Sequence, residues 1–247
     1  MPAEPTYHPV KAIRRITAAL AVVLTFGVSG TSAGAAGVVT AFPMSIPQGR
    51  VWSPHWSGWM TYGSHITQVS TTLVVPTMAT TNAAGQMASM WVGIDGFYSH
   101  QLLQAGVTEV STPLGPEVFP WFEQLPQQPT ASTVPMTVAQ GQRVQVRLQQ
   151  WIPGIWCVSM TNLDTGASWH TGVLYNGPLE TADWVLEPPQ SAGQPTQLPP
   201  LATPASFSDL AMHGQAFVNF AVDMGEFPQT EVAPGPLSVS GFTVSHP

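Results

Sequence analysis

Five polar side chains stand where the sequence is otherwise apolar and rich in tryptophan. Gln104 lies within Leu102-Leu103-Gln104-Ala105-Gly106-Val107, and Glu123 closes Phe119-Pro120-Trp121-Phe122-Glu123. Asp95 ends Met90-Trp91-Val92-Gly93-Ile94-Asp95, while Asp183 and Glu187 flank Trp184-Val185-Leu186. Residues two apart on a strand share a face, so Asp183, Val185 and Glu187 point the same way. A carboxylate held among apolar and like-charged groups is hard to ionise, and its pKa rises. Such groups trade protons near the working pH, which makes the set a candidate active or binding site. Structural hydrogen-bond networks perturb carboxylates in the same way, so at this point both readings stay open.

Other chemistries find no footing. The chain has no G-x-S-x-G elbow, no H-E-x-x-H helix, no Gly-rich phosphate loop and no cysteine–histidine metal spacing. His55, His65, His100, His170, His213 and His246 are scattered, and each reads as a surface or satisfied polar group. The one cysteine, Cys157, sits in the apolar run Ile155-Trp156-Cys157-Val158 and cannot form an intrachain disulfide. It reads as a buried structural thiol, since no histidine is motif-linked to it.

The elements that must position these residues are strands. Arg143 to Gln149 alternates strictly, with Val144, Val146 and Leu148 on one face and polar groups on the other, as a half-buried antiparallel strand does. Similar signals recur at Val69 to Val75, Met87 to Ile94, Leu102 to Val110, Phe119 to Leu125, Trp156 to Leu163, Trp184 to Glu187, Phe217 to Val222 and Leu237 to Val244. Asp164-Thr165-Gly166 reads as a hairpin turn leading into Ala167 to Thr171. Twenty-five prolines and 22 glycines punctuate the strands, Pro188 to Pro204 reads as the longest loop, and no helical period appears after the leader. Many short strands between Gly/Pro turns predict an all-β sandwich or barrel.

The first residues belong to a different kind of segment. Lys11, Arg14 and Arg15 precede an apolar run from Ile16 to Val28, and Ala33-Gly34-Ala35 offers a small-residue cleavage site. This order predicts a signal peptide over 1–36 and a secreted product that leaves the membrane once the peptide is cleaved. Residues 37–50 lack periodicity and read as a flexible lead-in or short propeptide, ahead of one domain over 51–247. Removing residues 1–36 from 247 leaves 211, a normal size for a single β-rich domain. That remainder keeps three basic residues (Arg50, Arg143 and Arg147), no lysine, and 12 of the 13 acids. Such a surface argues against nucleic acid, whose affinity rests largely on Lys and Arg neutralising phosphates. Few ion pairs also means little is lost when carboxylates protonate, which fits an acidic milieu.

Five segments, in order, carry a family resemblance. His55-Trp56-Ser57-Gly58-Trp59, Trp91-Val92-Gly93-Ile94-Asp95-Gly96, Leu103-Gln104-Ala105-Gly106-Val107, Trp121-Phe122-Glu123 and Ala182-Asp183-Trp184-Val185-Leu186-Glu187 resemble the motifs of glutamic peptidases, the eqolisins. The resemblance runs from about Trp52 to the C-terminus. It implies an antiparallel β-sandwich of two packed sheets, a jelly roll like that of legume lectins and some glucanases. It also implies an acid-active, pepstatin-insensitive endopeptidase that needs no metal or other cofactor and acts, as a monomer, on proteins or peptides. The catalytic pair falls on Gln104 and Glu187, with supporting acids at Asp95, Glu123 and Asp183 and cleft tryptophans at Trp56 and Trp91.

Those residue types suit peptide hydrolysis. A glutamate carboxylate can take a proton from water and return it to the leaving nitrogen, and a neutral glutamine can donate an N–H to the oxyanion. An ordinary glutamate, with a pKa of about 4.3, would serve as base best at low pH. Four positions depart from the family pattern: His55 stands for asparagine, Trp59 for tyrosine, Asp183 for glutamate, and Thr108 for an aspartate, which removes one acidic neighbour of the site. The same architecture serves carbohydrate-binding sandwiches and glycoside hydrolases, so fold alone does not choose between them. A retaining glucanase of this architecture would show E-x-D-x-E on one strand, whereas Glu180 falls on the opposite face from Asp183 and Glu187.

Overall fold

The computed structural model describes residues 46–79, 83–189, 196–226 and 229–247, and among them there are 12 strands and no helix. The expected leader, residues 37–45 of the lead-in and the middle of the Pro188 to Pro204 loop lie outside the described residues. In chain order the strands are β1 (Gln48–Ser53), β2 (Ser57–Val74), β3 (Met87–Asp95), β4 (Leu102–Thr112), β5 (Gly115–Leu125) and β6 (Gln128–Thr133). They continue with β7 (Arg143–Ile152), β8 (Ile155–Asn162), β9 (Ser168–Leu174), β10 (Thr181–Glu187), β11 (Ala205–Met224) and β12 (Phe242–Val244).

The strands pair into a sandwich whose two layers are joined through β2 and β11. In the first layer the order is β6-β5-β4-β3-β10, followed by the N-terminal part of β2 (through Gly58–Tyr62), the C-terminal part of β11 and β1. The second runs β9-β8-β7, then the C-terminal part of β2 (Gln68–Val74), the N-terminal part of β11 and β12. All pairs are antiparallel except β1 with β11, which is parallel. Both long strands change layer at one place, where the β2–β11 register slips between His213 and Gln215 and His65 takes a φ of 52°. Gly214 makes this crossing possible. Its φ is 152°, and a Cβ there would lie 2.9 Å from Ile66 Cα.

The main core lies between the layers. Val92, Leu103, Ala105, Trp184 and Leu186 of the first layer meet Val144, Val146, Leu148, Trp156 and Val158 of the second. Trp184 Nε1 donates across the gap to the Ser70 carbonyl at 3.1 Å. A second apolar cluster covers the opposite face of the first layer: Trp56, Met60, Trp91, Leu102, Trp121, Leu125, Val185 and Val222. The first layer is therefore apolar on both faces, and β3 and β10 are buried along nearly their whole length.

The strand readings fall on real strands, with instructive differences. β2 begins 12 residues ahead of Val69 because Trp59 and Met60 are buried on opposite faces and no alternation marks that stretch. β6 lacks apolar alternation and sits at a sheet edge, where Pro129 costs no ladder bond. β1 starts at Gln48, and Arg50 pairs with the fully buried Asp223 of β11. Only Phe242–Val244 of the Leu237 to Val244 stretch is strand; Ser238 and Gly241 form an isolated bridge before it.

Gly214→Ala should lower the stability of the whole sandwich. A side chain at that φ, pressed on β2 backbone, costs on the order of 2 kcal/mol, which for a domain of this size lowers Tm by several degrees. Thermal unfolding followed by circular dichroism reads this directly, and an unchanged Tm would show that the crossing tolerates a side chain.

Candidate active site

Pairing register places the polar residues on the outer face of the first layer. Glu123 of β5 sits opposite Gln104 of β4, Gln104 opposite Gly93 of β3, and Gly93 opposite Asp183 of β10. The adjacent row reads Trp121, Gly106, Trp91, Val185 and Gly58. Beyond it lies the row of Thr108, Ser89 and Glu187. Gly93 is required by packing, since a Cβ there would meet the Trp91 ring at 2.8 Å. The indole of Trp91 thus lies down along the sheet, between the Gln104 row and its own.

Gln104 and Glu123 are directly joined. Gln104 Nε2 donates to Glu123 Oε2 at 2.7 Å, with both residues buried. Gln104 Oε1 and Glu123 Oε1 are buried without a hydrogen-bond partner, so each keeps one unused acceptor. Glu187 stands three strands and four residues from Glu123, a Cα separation of roughly 20 Å in a flat sheet. The layer is twisted rather than flat, and the charge of Glu123 is felt at Glu187.

Burial pushes Glu187 up to about 8, the charge of Glu123 adds to the rise, and the indoles of Trp56 and Trp91 pull it back. Trp91 Nε1 makes no hydrogen bond of ordinary geometry, yet it acts on Glu187 as a donor that favours the carboxylate. The Glu187 side chain is largely enclosed by protein yet keeps partial exposure. Glu123 is raised to about 7 by burial, against the hydrogen bond from Gln104. The charge of Glu123 thus reaches Glu187, while burial and the Gln104 amide set the pKa of Glu123.

The other expected residues divide into two groups. Trp56 joins the pair, packing edge-on against Trp91 with ring centroids 4.8 Å apart. Asp95 turns away from it. Its carboxylate accepts from Tyr175 Oη at 2.8 Å, Leu179 N at 3.0 Å and Glu180 N at 2.8 Å, tying the segment before β10 to the end of β3. Asp183 lies between the groups, wholly buried, with Thr181 Oγ1 donating to Oδ2 at 3.0 Å and Oδ1 unpartnered. Its pKa is well above the ordinary range through burial, with Asp95 adding to the rise.

Ser89, opposite Glu187, gave no sequence signal as a site member, and Thr108, one strand further, stands out only as the replacement for an aspartate. Ser89 and Thr108 share a hydrogen bond at 2.5 Å, and Trp121 Nε1 donates to Thr108 Oγ1 at 2.8 Å. Thr108 thus keeps an acceptor for the indole without the charge an aspartate would bring, two strands or about 10 Å from Glu187. Among the described residues no group of three His, Cys, Asp or Glu is placed to hold a metal ion. A shallow cavity of about 560 Å³ between β5 and Val138–Gln140 includes none of the residues above. Cys157 is buried and free, and burial raises its pKa. No helix among the described residues is long and apolar enough to cross a membrane.

Comparison with known proteins places these features in a lineage. The sequence profile of the Peptidase A4 family matches residues 54–221. Scytalido-glutamic peptidase, solved with a transition-state analogue inhibitor, superposes with a TM-score of 0.67 at 17% identity, covering 78% of this chain and 98% of its own. SCP-B, an eqolisin-family peptidase solved with the tripeptide Ala-Ile-His, gives 0.61 at 21% identity, covering 78% and 97%. Aspergilloglutamic peptidase from Aspergillus niger gives 0.53 at 21%, covering 65% and 98%. At these identities the likeness establishes a shared β-sandwich fold. No curated protein sequence matches the chain.

The buried carboxyls set the sign of stability against pH. Glu123, Glu187 and Asp183 have folded pKa values above their unfolded ones, so the folded state holds these protons more tightly. Their contribution is complete below about pH 4 and is lost as pH rises through about 7 to 8. Tm should therefore fall between about pH 5 and 8, and Glu187→Gln should flatten that fall. A Tm that climbs across the same interval would mean these groups ionise freely in the folded chain.

Proposed function

The chain belongs to the Peptidase A4, or eqolisin, family and is a glutamic endopeptidase; we propose that Gln104 and Glu187 are its catalytic pair and that it cuts proteins and peptides outside the cell, in acidic surroundings. What supports the assignment of the pair is that Gln104, hydrogen-bonded to Glu123 at 2.7 Å, shares the outer face of the first layer with the partly exposed Glu187, where the charge of Glu123 is felt. The leader read in residues 1–36 supports export. The scarcity of ion pairs, with Arg50–Asp223 and Arg143–Asp164 the two among the described residues, supports tolerance of acid.

Glu123 acts here as a positioning residue. By accepting one Nε2 hydrogen it fixes which way the Gln104 amide is turned, and the second Nε2 hydrogen is left for the substrate carbonyl oxygen. Glu187, as carboxylate, takes a proton from water while the water oxygen bonds to the carbonyl carbon. The oxygen of the tetrahedral intermediate draws on the Gln104 N–H, where its negative charge develops. Collapse breaks the C–N bond, and the proton held by Glu187 passes to the leaving nitrogen, giving an acid and an amine. Pepstatin is not expected to inhibit, because the site has no aspartate dyad.

An ordinary glutamate pKa does not hold in this site, which alters the working range. Glu187 is the base only when ionised, and its burial delays ionisation toward neutrality. The productive form is the minor tautomer of the singly protonated pair, with the proton on Glu123 and Glu187 charged, since Glu187 holds its proton the more tightly. A bell-shaped profile of kcat/KM follows, with its acid limb well above pH 4.3 and its peak near neutrality.

Three substitutions test this assignment. Glu187→Gln should abolish hydrolysis of a denatured protein while the circular dichroism spectrum is retained; substantial residual activity would move the base elsewhere, first to Glu123. Gln104→Ala should lower kcat by about 100- to 1,000-fold with a smaller effect on KM, as loss of an oxyanion donor does. Kinetics equal to wild type would reduce Gln104 to a buried structural amide. Glu123→Gln leaves no second proton to lose, so the alkaline limb should disappear while the acid limb stays; an unchanged alkaline limb would show that the two carboxyls do not share the site's protons.

A further inference from the structure

Six aromatic side chains form a continuous strip that leads away from Glu187 over the outer face of the first layer. Trp91 and Trp56 begin it beside the carboxyl, with centroids 4.8 Å apart. Phe97 follows at 6.0 Å from Trp56, Tyr98 at 5.0 Å from Phe97, Tyr62 at 5.8 Å from Tyr98 and Phe217 at 5.9 Å from Tyr62. Four separate elements contribute. Trp91 lies on β3, Tyr62 on β2 opposite Thr181, and Trp56 just ahead of β2. Phe97 and Tyr98 come from the loop after β3, which turns back at Gly96 (φ 100°) and is closed by Ser99 Oγ donating to the Gln101 carbonyl at 2.9 Å. Phe217 falls in the β11 register shift between Ala216 and Val218, and such a bulge re-aims its side chain.

The inner members are buried, while the outer ones are open. Trp56 is 4% exposed and Trp91 0%, whereas Tyr98 is 47% and Phe217 43% exposed. Solvent-exposed aromatics in contact with a buried aromatic chain are an apolar surface continuous with the proposed catalytic site. Asp183 lies near Tyr98, and with Tyr62 it helps keep the Tyr98 hydroxyl un-ionised, burial being the larger cause. The buried Asp183 also makes this end a poor place for an acidic side chain.

Building on the peptidase reading, we propose that Tyr98, Tyr62 and Phe217 form a remote substrate subsite that selects an aromatic or large aliphatic side chain. Its place along the substrate follows from strand geometry. Tyr62 is six residues from Trp56, or about 20 Å, and an extended peptide covers that distance in about six residues. Phe97, midway, would touch a side chain about three residues from the scissile bond. The enzyme thus reads a segment well beyond the bond it cuts, with apolar side chains favoured at those two distances.

The test uses an alanine-rich peptide in which one Phe is moved through the six positions on either side of the cleaved bond. Wild type should favour Phe over Ala by about 10- to 100-fold in kcat/KM near the sixth position on one side, the factor expected for burying one aromatic side chain. Tyr98→Ala and Phe217→Ala should bring that ratio toward 1, and Tyr98→Phe should retain it. Calorimetric binding of the same peptides to Glu187→Gln should give the same preference without turnover. If no peptide is cleaved, the peptidase reading fails, and the binding ratios still decide the subsite. A Phe/Ala ratio near 1 at every remote position, or one unaffected by Tyr98→Ala and Phe217→Ala, overturns the proposal.

Discussion

Carboxyl groups buried on a tryptophan-covered sheet face impose the terms on which the rest of this molecule is built. Taking a charged carboxylate out of water is costly unless it is paired, and no arginine or lysine serves Glu123, Glu187 or Asp183. The described chain places its two ion pairs elsewhere, at the β1–β11 edge and between the start of β7 and the β8–β9 turn. The site carboxyls are held instead by neutral donors, an amide at Glu123 and a hydroxyl at Asp183, which bind either protonation state. A partner that does not insist on a charge suits a group that must gain and lose a proton.

Keeping water away from these groups requires the first layer to be apolar on both sides. One face seals the main core and the other carries Trp56, Trp91, Trp121 and Val185. Large rings on a pleated surface need empty positions beside them, and Gly93 supplies one where the Trp91 ring lies down. The charge of Glu123 is felt at Glu187 across two intervening strands of that layer.

This architecture explains what the sequence could and could not reveal. Strands with one wet face, such as β7, announce themselves by alternation, whereas β10 and the start of β2 are buried on both faces and look featureless. The polar residues stood out because Gln104, Glu123 and Glu187 interrupt apolar runs, and that contrast needs no structure. Their roles in space were less legible. Asp95 has the same signature as Glu123, yet a positive φ of 67° ends its strand and spends its carboxylate on Tyr175 and two backbone amides. Ser89 and Thr108 carry ordinary hydroxyls, and only register places them in the Glu187 row.

Stability and catalysis pull the same carboxyls in opposite directions along the pH axis. The folded state favours them neutral, and so it favours acid. The proton transfer proposed for Glu187 needs it ionised, and so it favours higher pH. A salt bridge to Glu187 would ionise it cheaply at low pH, but it would also weaken it as a base and make the fold depend on a charge that acid removes. Repulsion from Glu123 works otherwise. It raises the proton affinity of Glu187 only while Glu123 is itself charged, so a single proton shared by the two relieves the burial penalty and leaves one carboxylate free to react. On the proposed mechanism the pair of glutamates, rather than either one, is therefore the unit that links the acid-favoured fold to the hydrolytic chemistry.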